Sequence, residues 1–170
     1  MTSRVEKPRL IWKAFVFCLA NKGGGLIDVT IRRYHVGDEA GIWQLNTQVL
    51  GYPFAYEETA AKLALLAENP EHCILIAQVD GEVVGYIHRI DYEVLYMPSY
   101  KNILALAVAK DYQHQGIGRA LLQGIEQWAR TTGAAGVRLV SGEERTEAHE
   151  FYAACGYQRK KKQVNFRKEW

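Results

Sequence analysis

The chain has 170 residues, a length that suits one domain with its own hydrophobic core and needs no disulfide or metal to fold. Its composition, 48% hydrophobic and 24% charged, excludes a disordered chain, a collagen-like repeat and a multispanning membrane protein. The net charge of +2 is too small to attract polyanions as a whole-molecule field, so we expect no nucleic-acid or membrane partner.

The cysteines and histidines predict no metal site. Cys18, Cys73 and Cys155 lie far apart without a Cys-x-x-Cys pair, and the five histidines form no His-Glu-x-x-His motif. Cysteines scattered in this way are usually buried free thiols. Free thiols suit a reducing compartment, which favours a cytoplasmic protein.

Residues 1–27 are predicted to be a non-catalytic extension, and residues 28–170 the functional domain. The basic residues at positions 4, 7 and 9 precede an apolar run at 10–20, a pattern that resembles a signal peptide. However, Lys13 interrupts this run, which is also shorter than the ~20 residues of a membrane span. Three consecutive glycines at 23–25 predict a flexible hinge at the boundary.

Hydrophobic periodicity predicts that strands and helices follow one another in the first half of this domain. The expected elements are a strand at 29–34, helices at 38–50 and 57–68, and strands at 72–79 and 82–91. Asp80 and Gly81 separate the last two strands, and their turn chemistry predicts a tight antiparallel hairpin.

The second half continues the same pattern. The expected elements are a central strand in the apolar run 102–109, a helix from Ile117 to about Thr131, a short strand at 136–140, a helix through residues 148–155, and a hairpin of residues 157–161 and 164–168. Gly156 is expected to end the last helix as a left-handed cap.

The residues between the central strand and the next helix predict a diphosphate-binding turn at 113–118. Gly116 and Gly118 lack Cβ atoms, so backbone N–H groups can approach an anion closely. The positive end of the helix dipole lies at the same place. Arg119 adds a charge in the first helical turn, and Gln113 adds a donor from the near side of the loop.

Three other interpretations of these glycines were weighed. Two glycines after a strand are also typical of a plain turn with close helix packing. A dinucleotide-binding turn would have a third glycine where this sequence has Leu121. The predicted strand also ends further from the first glycine, Gly116, than it does in such a turn. The phosphate-binding Walker A pattern is absent from the sequence.

The motif Gln113-x-x-Gly116-x-Gly118 resembles the signature of the GNAT superfamily of acyl-CoA-dependent N-acetyltransferases. The likeness extends over residues 29–168 and includes three further parts: Leu50-Gly51-Tyr52-Pro53, Leu106-Ala107-Val108, and a downstream block that contains Ser141, Arg145, Ala148, Phe151, Tyr152 and Gly156. The resemblance implies an α/β (α+β) fold, with a mixed, mostly antiparallel central sheet whose central strands splay apart and are flanked by helices.

The same resemblance implies that acetyl-CoA is the cofactor. Its pyrophosphate would rest on residues 113–118, main-chain groups of Leu106 and Val108 would bind the pantetheine arm, and an N–H near Ala107 would stabilise the oxyanion. The expected cofactor-binding residues are Leu106, Ala107, Val108, Gln113, His114, Gln115, Gly116, Ile117, Gly118, Arg119, Ser141, Arg145 and Tyr152. For Arg145 a surface position is the alternative, and Ser141 with Glu144 could instead cap the helix.

Tyr152 is the predicted catalytic residue, because it occupies the position where the family places its general acid. A phenol with a pKa near ~10 can protonate the departing thiolate. Tyr152 also lies on the apolar face of its predicted helix, so packing alone is the alternative. Asn102 stands where some relatives carry a glutamate base, which leaves Asp91, Glu93, His149 or an ordered water as the proton acceptor.

Substrate recognition is expected at residues 51–56 and 91–100, which are dense in tyrosine and phenylalanine. Tyr52, Phe54 and Tyr92 are the predicted substrate-binding residues, although such aromatics also suit packing or a homodimer surface. Acidic residues in and beside these segments hint at a cationic substrate.

We therefore expect an N-acetyltransferase that moves an acetyl group from acetyl-CoA to a primary amine of a small molecule or peptide in a direct ternary complex. An acyl-CoA-binding regulatory domain without turnover is the alternative. The basic residues 159–162 raise a nucleic-acid-binding hypothesis, but a solvated hairpin explains them as well.

Overall fold

A computed structural model describes residues 13–170. The first part of the signal-peptide-like pattern, residues 1–12, lies outside the described residues. The chain divides into two compact units, of which the first ends at Leu139 and the second is Val140–Trp170.

The first unit contains all the described strands and most of the helices. The strands are β1 (Phe15–Ala20), β2 (Leu26–Arg33), β3 (His72–Val79), β4 (Glu82–Val94), β5 (Met97–Val108) and β6 (Gly136–Leu139). The helices are α1 (Glu39–Leu45), α2 (Tyr56–Glu68) and α3 (Ile117–Thr131), with a π-helical turn at Asn46–Leu50 and a 3₁₀ turn at Lys110–Tyr112.

The strands form one six-stranded mixed sheet in the order β1-β2-β3-β4-β5-β6. Neighbouring strands are antiparallel except for β5 and β6, which are parallel. The β5–β6 pairing joins Tyr100–Ile103 to Gly136–Leu139, whereas β5 itself continues to Val108. The two strands therefore part beyond Ile103, which confirms the predicted mixed sheet with splayed central strands.

Helices cover both faces of the sheet. On one face, α1 and α2 pack with β3 and β4 around a core that includes Ile42, Leu63 and Ile76. On the other face lies α3, whose Leu121 is 3.4 Å from the position that a Cβ atom on Gly85 of β4 would occupy. Because side chains alternate along a strand, even-numbered residues of β4 from Tyr86 onward face α1 and α2, and odd-numbered residues face α3.

The hairpin predicted from Asp80 and Gly81 is confirmed. Both residues have positive φ angles, 49° and 86°, as the tight turn that suits the twist of two antiparallel strands requires. The turn sets the register in which Val79 pairs with Glu82. The predicted strands on either side and the predicted α3 also match the structure closely.

The predicted flexible hinge at residues 23–25 is wrong. Residues 15–20 form β1, which pairs antiparallel with β2, and the glycines make the hairpin turn between the two strands. The side-chain oxygen of Asn21 accepts hydrogen bonds from the N–H groups of Gly23 (3.0 Å) and Gly25 (2.8 Å). These hydrogen bonds and the β1–β2 pairing order a segment whose glycine content alone predicts flexibility.

The helix expected at 38–50 is interrupted. The α-helix ends at Leu45 and continues as a wider π-helical turn to Leu50, where Gly51 has a left-handed φ of 76°. Within this turn, the side-chain oxygen of Asn46 accepts a hydrogen bond from the Tyr86 hydroxyl. A π-helical turn is often found at functional sites, and this one places a polar side chain on the α1–α2 face of the sheet.

The second unit contains α4 (Thr146–Ala154), which ends before Gly156 at a φ of 90°, as predicted. The hairpin expected at 157–161 and 164–168 is wrong, because residues 157–170 form no strand. Val164 and Phe166 are 78% and 90% exposed, so the segment buries no apolar face, and an isolated two-stranded hairpin is only marginally stable. Ser141 and Glu144 do not cap α4, since its N-cap is Arg145 and no side-chain cap bond forms.

Within residues 13–170, no helix has the length and apolar character that crossing a membrane requires.

Candidate active site

The turn at residues 113–118 leaves the start of α3 open to an anion. Gly116 is the N-cap residue of α3 with a φ of 86°, and no side chain caps the helix there. The N–H groups of the first turn, at Ile117, Gly118 and Arg119, precede the first intrahelical bond, from Ala120 N–H to the Gly116 carbonyl. Donors at the positive end of a helix form a binding place for a phosphate group.

Gly116 also fits the turn for steric reasons. A Cβ atom there would lie 3.6 Å from the Leu19 methyl groups of β1, and its positive φ is costly for any residue with a side chain. His114 also has a positive φ, of 63°, so the chain turns twice within three residues. The residues present therefore fit a cradle of main-chain donors for a diphosphate.

Two glutamines brace this turn from inside. The side-chain amide of Gln113 donates to the Val108 carbonyl at 2.9 Å, and that of Gln115 donates to the Asp111 carbonyl at 2.8 Å. The sequence suggested that Gln113 would donate to the ligand. In the structure its amide instead fixes the end of β5 against the turn.

The end of β5 presents main-chain groups on the edge that β6 has left. The N–H of Ala109 donates to the Val84 carbonyl of β4 at 2.8 Å. Because main-chain groups alternate between the two edges of a strand, those of Ala107 also point to β4, and those of Leu106 and Val108 point to the open edge. The predicted N–H near Ala107 is therefore that of Leu106 or Val108.

A cavity of about 200 Å³ lies on the opposite face of the sheet, between α1, α2, β3 and β4. Its lining residues are Ile42, Asn46, Phe54, Thr59, Lys62, Leu63, Leu66, Ile74, Tyr86 and His88. The indole N–H of Trp43 donates to the Phe54 carbonyl at 2.9 Å and holds the preceding loop. Of the three predicted substrate-binding residues, Phe54 lines this cavity, whereas Tyr52 and Tyr92 do not.

Tyr92 and Asn102 lie further along the same face. The Arg138 guanidinium donates to the side-chain oxygen of Asn102 at 2.7 Å and lies 4.3 Å from the centre of the Tyr92 ring. The position at which some relatives carry a base is therefore an amide that already accepts a hydrogen bond.

His88 is a titratable residue of the cavity that the sequence analysis missed. Its Nε2 lies 2.9 Å from Nδ1 of His72, so one ring donates a hydrogen bond to the other. Burial, together with the neighbouring His72 and Arg89, lowers the pKa of His88 to about 4. The signal was available, because alternation from the Asp80–Gly81 turn puts His88 on the same face as Tyr86.

The carboxylates suggested as proton acceptors have other partners. Asp91 is ion-paired with Arg89 and, at 2.7 Å, with Lys101. Both cations lie beside the Trp128 ring of α3, with the Arg89 guanidinium carbon 3.2 Å from its centre. Glu93 accepts a hydrogen bond from the Ser99 hydroxyl at 2.6 Å.

Tyr152 lies half-buried on α4 in the second unit. Its ring contacts those of Phe151 and Tyr157 edge-on, at centroid distances of 5.3 and 5.8 Å. Burial raises the pKa of the Tyr152 hydroxyl, an effect that nearby Arg145 partly opposes. The phenol is therefore protonated at neutral pH.

The other predicted residues of this unit lie before or on α4. Ser141 is half-buried in the segment that precedes the helix, and Arg145 is an exposed N-cap residue. The Nε2 atom of His149 donates to the Gly142 carbonyl at 2.9 Å, and Nδ1 accepts from Arg159 at 3.2 Å. Both ring nitrogens of His149 are thus engaged.

The Acetyltransferase (GNAT) family model matches residues 40–157, which is more than half of the chain. The chain belongs to this family. As a GNAT protein it is an acetyltransferase of a family that uses acetyl-CoA as the acyl donor.

Two named acetyltransferases are similar in sequence. The chain is 30% identical over 142 residues to aminoglycoside N(6′)-acetyltransferase type 1 of Stenotrophomonas maltophilia, covering 81% of this chain and 92% of that protein. It is 27% identical over 118 residues to streptothricin acetyltransferase A of Bacillus subtilis (strain 168), covering 68% of this chain and 65% of that protein.

The fold also matches a solved structure, that of the aminoglycoside N-acetyltransferase AAC(6′)-Iy in complex with CoA. The TM-score is 0.76 at 14% sequence identity, over 84% of this chain and 95% of that one. At this identity the likeness shows the fold alone.

Proposed function

We propose that this GNAT protein transfers an acetyl group from acetyl-CoA to a primary amine of a small molecule or peptide in a direct ternary complex. The observation that carries the proposal is the open edge of β5, which leads into the uncapped start of α3. Main-chain groups of Leu106 and Val108 stand at that edge, and Gly116 begins the helix. The pantetheine arm of the thioester would bind along the open edge of β5, and its pyrophosphate would bind at the uncapped start of α3.

In this arrangement, different residues of the chain bind different parts of the acetyl donor. The first-turn N–H groups of α3 and the side chain of Arg119 bind the diphosphate. The Leu106 and Val108 main chain binds the pantetheine arm, and one of their N–H groups stabilises the oxyanion. The Val108 carbonyl accepts one hydrogen bond from Gln113, and the Val108 N–H is a further group at this edge that can bind the donor. Ser141 and Arg145 remain predicted contacts to the cofactor.

The transfer requires two proton movements. The amine nitrogen attacks the thioester carbonyl carbon, the carbon–sulfur bond breaks, and the departing thiolate takes a proton from the Tyr152 hydroxyl. The raised pKa of Tyr152 keeps the phenol protonated at neutral pH, as the role of general acid requires, but the same shift makes its proton transfer to a thiolate less favourable. The amine must lose a proton, and with Asp91, Glu93 and His149 engaged elsewhere, we propose an ordered water as the acceptor.

The names of the relatives support a small-molecule amine as the acceptor, because one is named for aminoglycosides and the other for streptothricin. We keep residues 28–170 as the proposed acetyltransferase domain, a cytoplasmic location and a possible homodimer as further predictions. Of the extension, residues 13–27 are described; they contain β1, its turn and the first residues of β2, and Leu19 of β1 lies close to Gly116.

The proposal is tested by thiol release from acetyl-CoA over a panel of amines, together with Tyr152→Phe. We expect this substitution to lower kcat by about 100-fold, the lower range for losing a general acid, and to leave the dissociation constant of CoA unchanged. The matched control is Tyr157→Phe, which removes the hydroxyl of the ring next to Tyr152.

Equal kcat for the two variants would refute the acid role of Tyr152. Tight acetyl-CoA binding without thiol release on any amine would refute turnover and indicate the alternative, an acyl-CoA-binding regulatory domain.

A further inference from the structure

The cavity on the α1–α2 face lies one strand away from the proposed donor edge. Tyr86 and His88 of its lining pair across the sheet with Ala107 and Ala105 of β5. These alanines lie in the part of β5 beyond Ile103, where β6 has departed. If the proposed function holds, on which this inference rests, a molecule in the cavity is placed next to the thioester.

The cavity is small and mostly apolar. Phe54, Leu63, Leu66 and Ile74 form its walls, and its volume of about 200 Å³ is below the ~300–1,000 Å³ of sites for drug-sized ligands. Asn46 and Tyr86 contribute polar atoms, but these bond to each other. The enclosed space suits one ring or one short hydrocarbon chain, and the rest of a larger acceptor would extend through its open side into solvent.

The charge in the cavity is positive. Among the described residues that line it, Lys62 is the one charged side chain, and none is a carboxylate. Its ammonium nitrogen lies 5.0 Å from the centre of the Phe54 ring. His88 adds no charge at neutral pH because its pKa is lowered to about 4.

The acidic residues that suggested a cationic substrate do not reach this cavity. Asp91 lies on the α3 face, in ion pairs with Arg89 and Lys101. A second ammonium group on the acceptor would lose its hydration in an apolar space and would meet the ammonium of Lys62, an exposed residue of α2, with no carboxylate among the lining residues. The cavity therefore disfavours polycations.

We propose that the acceptor is a primary amine on a single small apolar group that carries no second positive charge, and that Lys62 selects against polycationic amines. This substrate class differs from what the names of the two relatives suggest. The difference follows from the lining of this chain's own cavity.

The test uses three acceptors that differ only at the far end: hexylamine, 1,6-diaminohexane and 6-aminohexanoate, with kanamycin as a polycationic comparison. We expect kcat/KM for hexylamine to exceed that for 1,6-diaminohexane by about tenfold, the effect of one unfavourable charge contact at intermediate polarity. In Lys62→Glu this preference should shrink or invert, and 6-aminohexanoate should lose activity relative to the diamine.

The matched control is Lys13→Glu, which makes the same charge change at an exposed residue before β1 and should leave the preference unchanged. CoA affinity measured by calorimetry reports whether each variant is folded, and Lys62→Gln serves if Lys62→Glu is not. A preference for kanamycin or the diamine in the unaltered protein, or a ratio that Lys62 variants do not change, would overturn the inference and leave the proposed function standing. Absence of turnover with every acceptor, despite CoA binding, would overturn both.

Discussion

The two faces of the central sheet carry polar groups of different kinds. On the α3 side, Arg89, Asp91 and Lys101 are gathered beneath Trp128, with the carboxylate between two cations. On the α1–α2 side, the polar groups of β4 that line the cavity are neutral, as His88 is at neutral pH. The paired buried charges stabilise the contact between the sheet and α3. The neutral groups that line the cavity can contact a ligand without first losing an ion pair.

The largest effect expected from this difference is on stability. Asp91→Asn keeps the shape of the side chain but leaves Arg89 and Lys101 without their anion, so the free energy of unfolding should fall by about 3–5 kcal/mol. Urea denaturation measures it. The matched change Glu93→Gln, at an exposed residue of the same strand, should stay within about 0.5 kcal/mol. Retained stability with lost turnover in Asp91→Asn would instead make Asp91 a catalytic base.

The main-chain cradle at the start of α3 is tested next. Gly116→Ala places a methyl group beside Leu19, and we expect the affinity for CoA to fall about tenfold or more, equivalent to ~1.4 kcal/mol. Gly133→Ala is the control: it has a similar positive φ, of 72°, at the far end of the same helix, with no atom near the added methyl group. Both variants bear similar backbone strain, and calorimetry with CoA separates them. Equal affinities would mean that the diphosphate binds elsewhere.

The third effect concerns His88 and the pH dependence of stability. Its pKa is about 4 in the folded chain, against an ordinary value of 6.5, so the unfolded chain binds one more proton between these values. The free energy of unfolding should therefore fall as the pH falls from about 6.5 to about 4, by up to about 1.4 kcal/mol per pH unit. His88→Gln should flatten this slope in urea denaturation at pH 7, 6 and 5, whereas His35→Gln, in an exposed loop, should keep it. An unchanged slope in His88→Gln would mean that another group is responsible.

The α3 side was the more predictable of the two from the sequence. Turns that require glycine can be recognised locally in the sequence, as at Gly81 and Gly116. The apolar run 102–109 before Gly116 likewise predicts a strand. Main-chain recognition depends on such local conformation and not on distant partners. For this reason the glycine-containing turn and its helix were predicted at their observed positions.

The cavity side was largely missed because its residues come from four separate elements. Asn46, Lys62 and His88 carry no shared local pattern, and only the packing of α1 and α2 on the sheet brings them together. The strand β1 was missed for a related reason: its pairing with β2 outweighs the loose character of the glycines. The C-terminal hairpin failed because alternation without a surface to cover does not stabilise a strand.

Leu19 of the N-terminal hairpin lies near the donor turn, since a Cβ atom added at Gly116 would be 3.6 Å from its methyl groups. The family match starts at residue 40 and therefore leaves out both β1 and β2. The similarity to the aminoglycoside N(6′)-acetyltransferase type 1 spans 142 residues and must therefore reach into β2, whereas β1 is less widely covered. Sequence changes in β1 can therefore alter the stability of the turn at residues 113–118 without changing any residue of the motif itself.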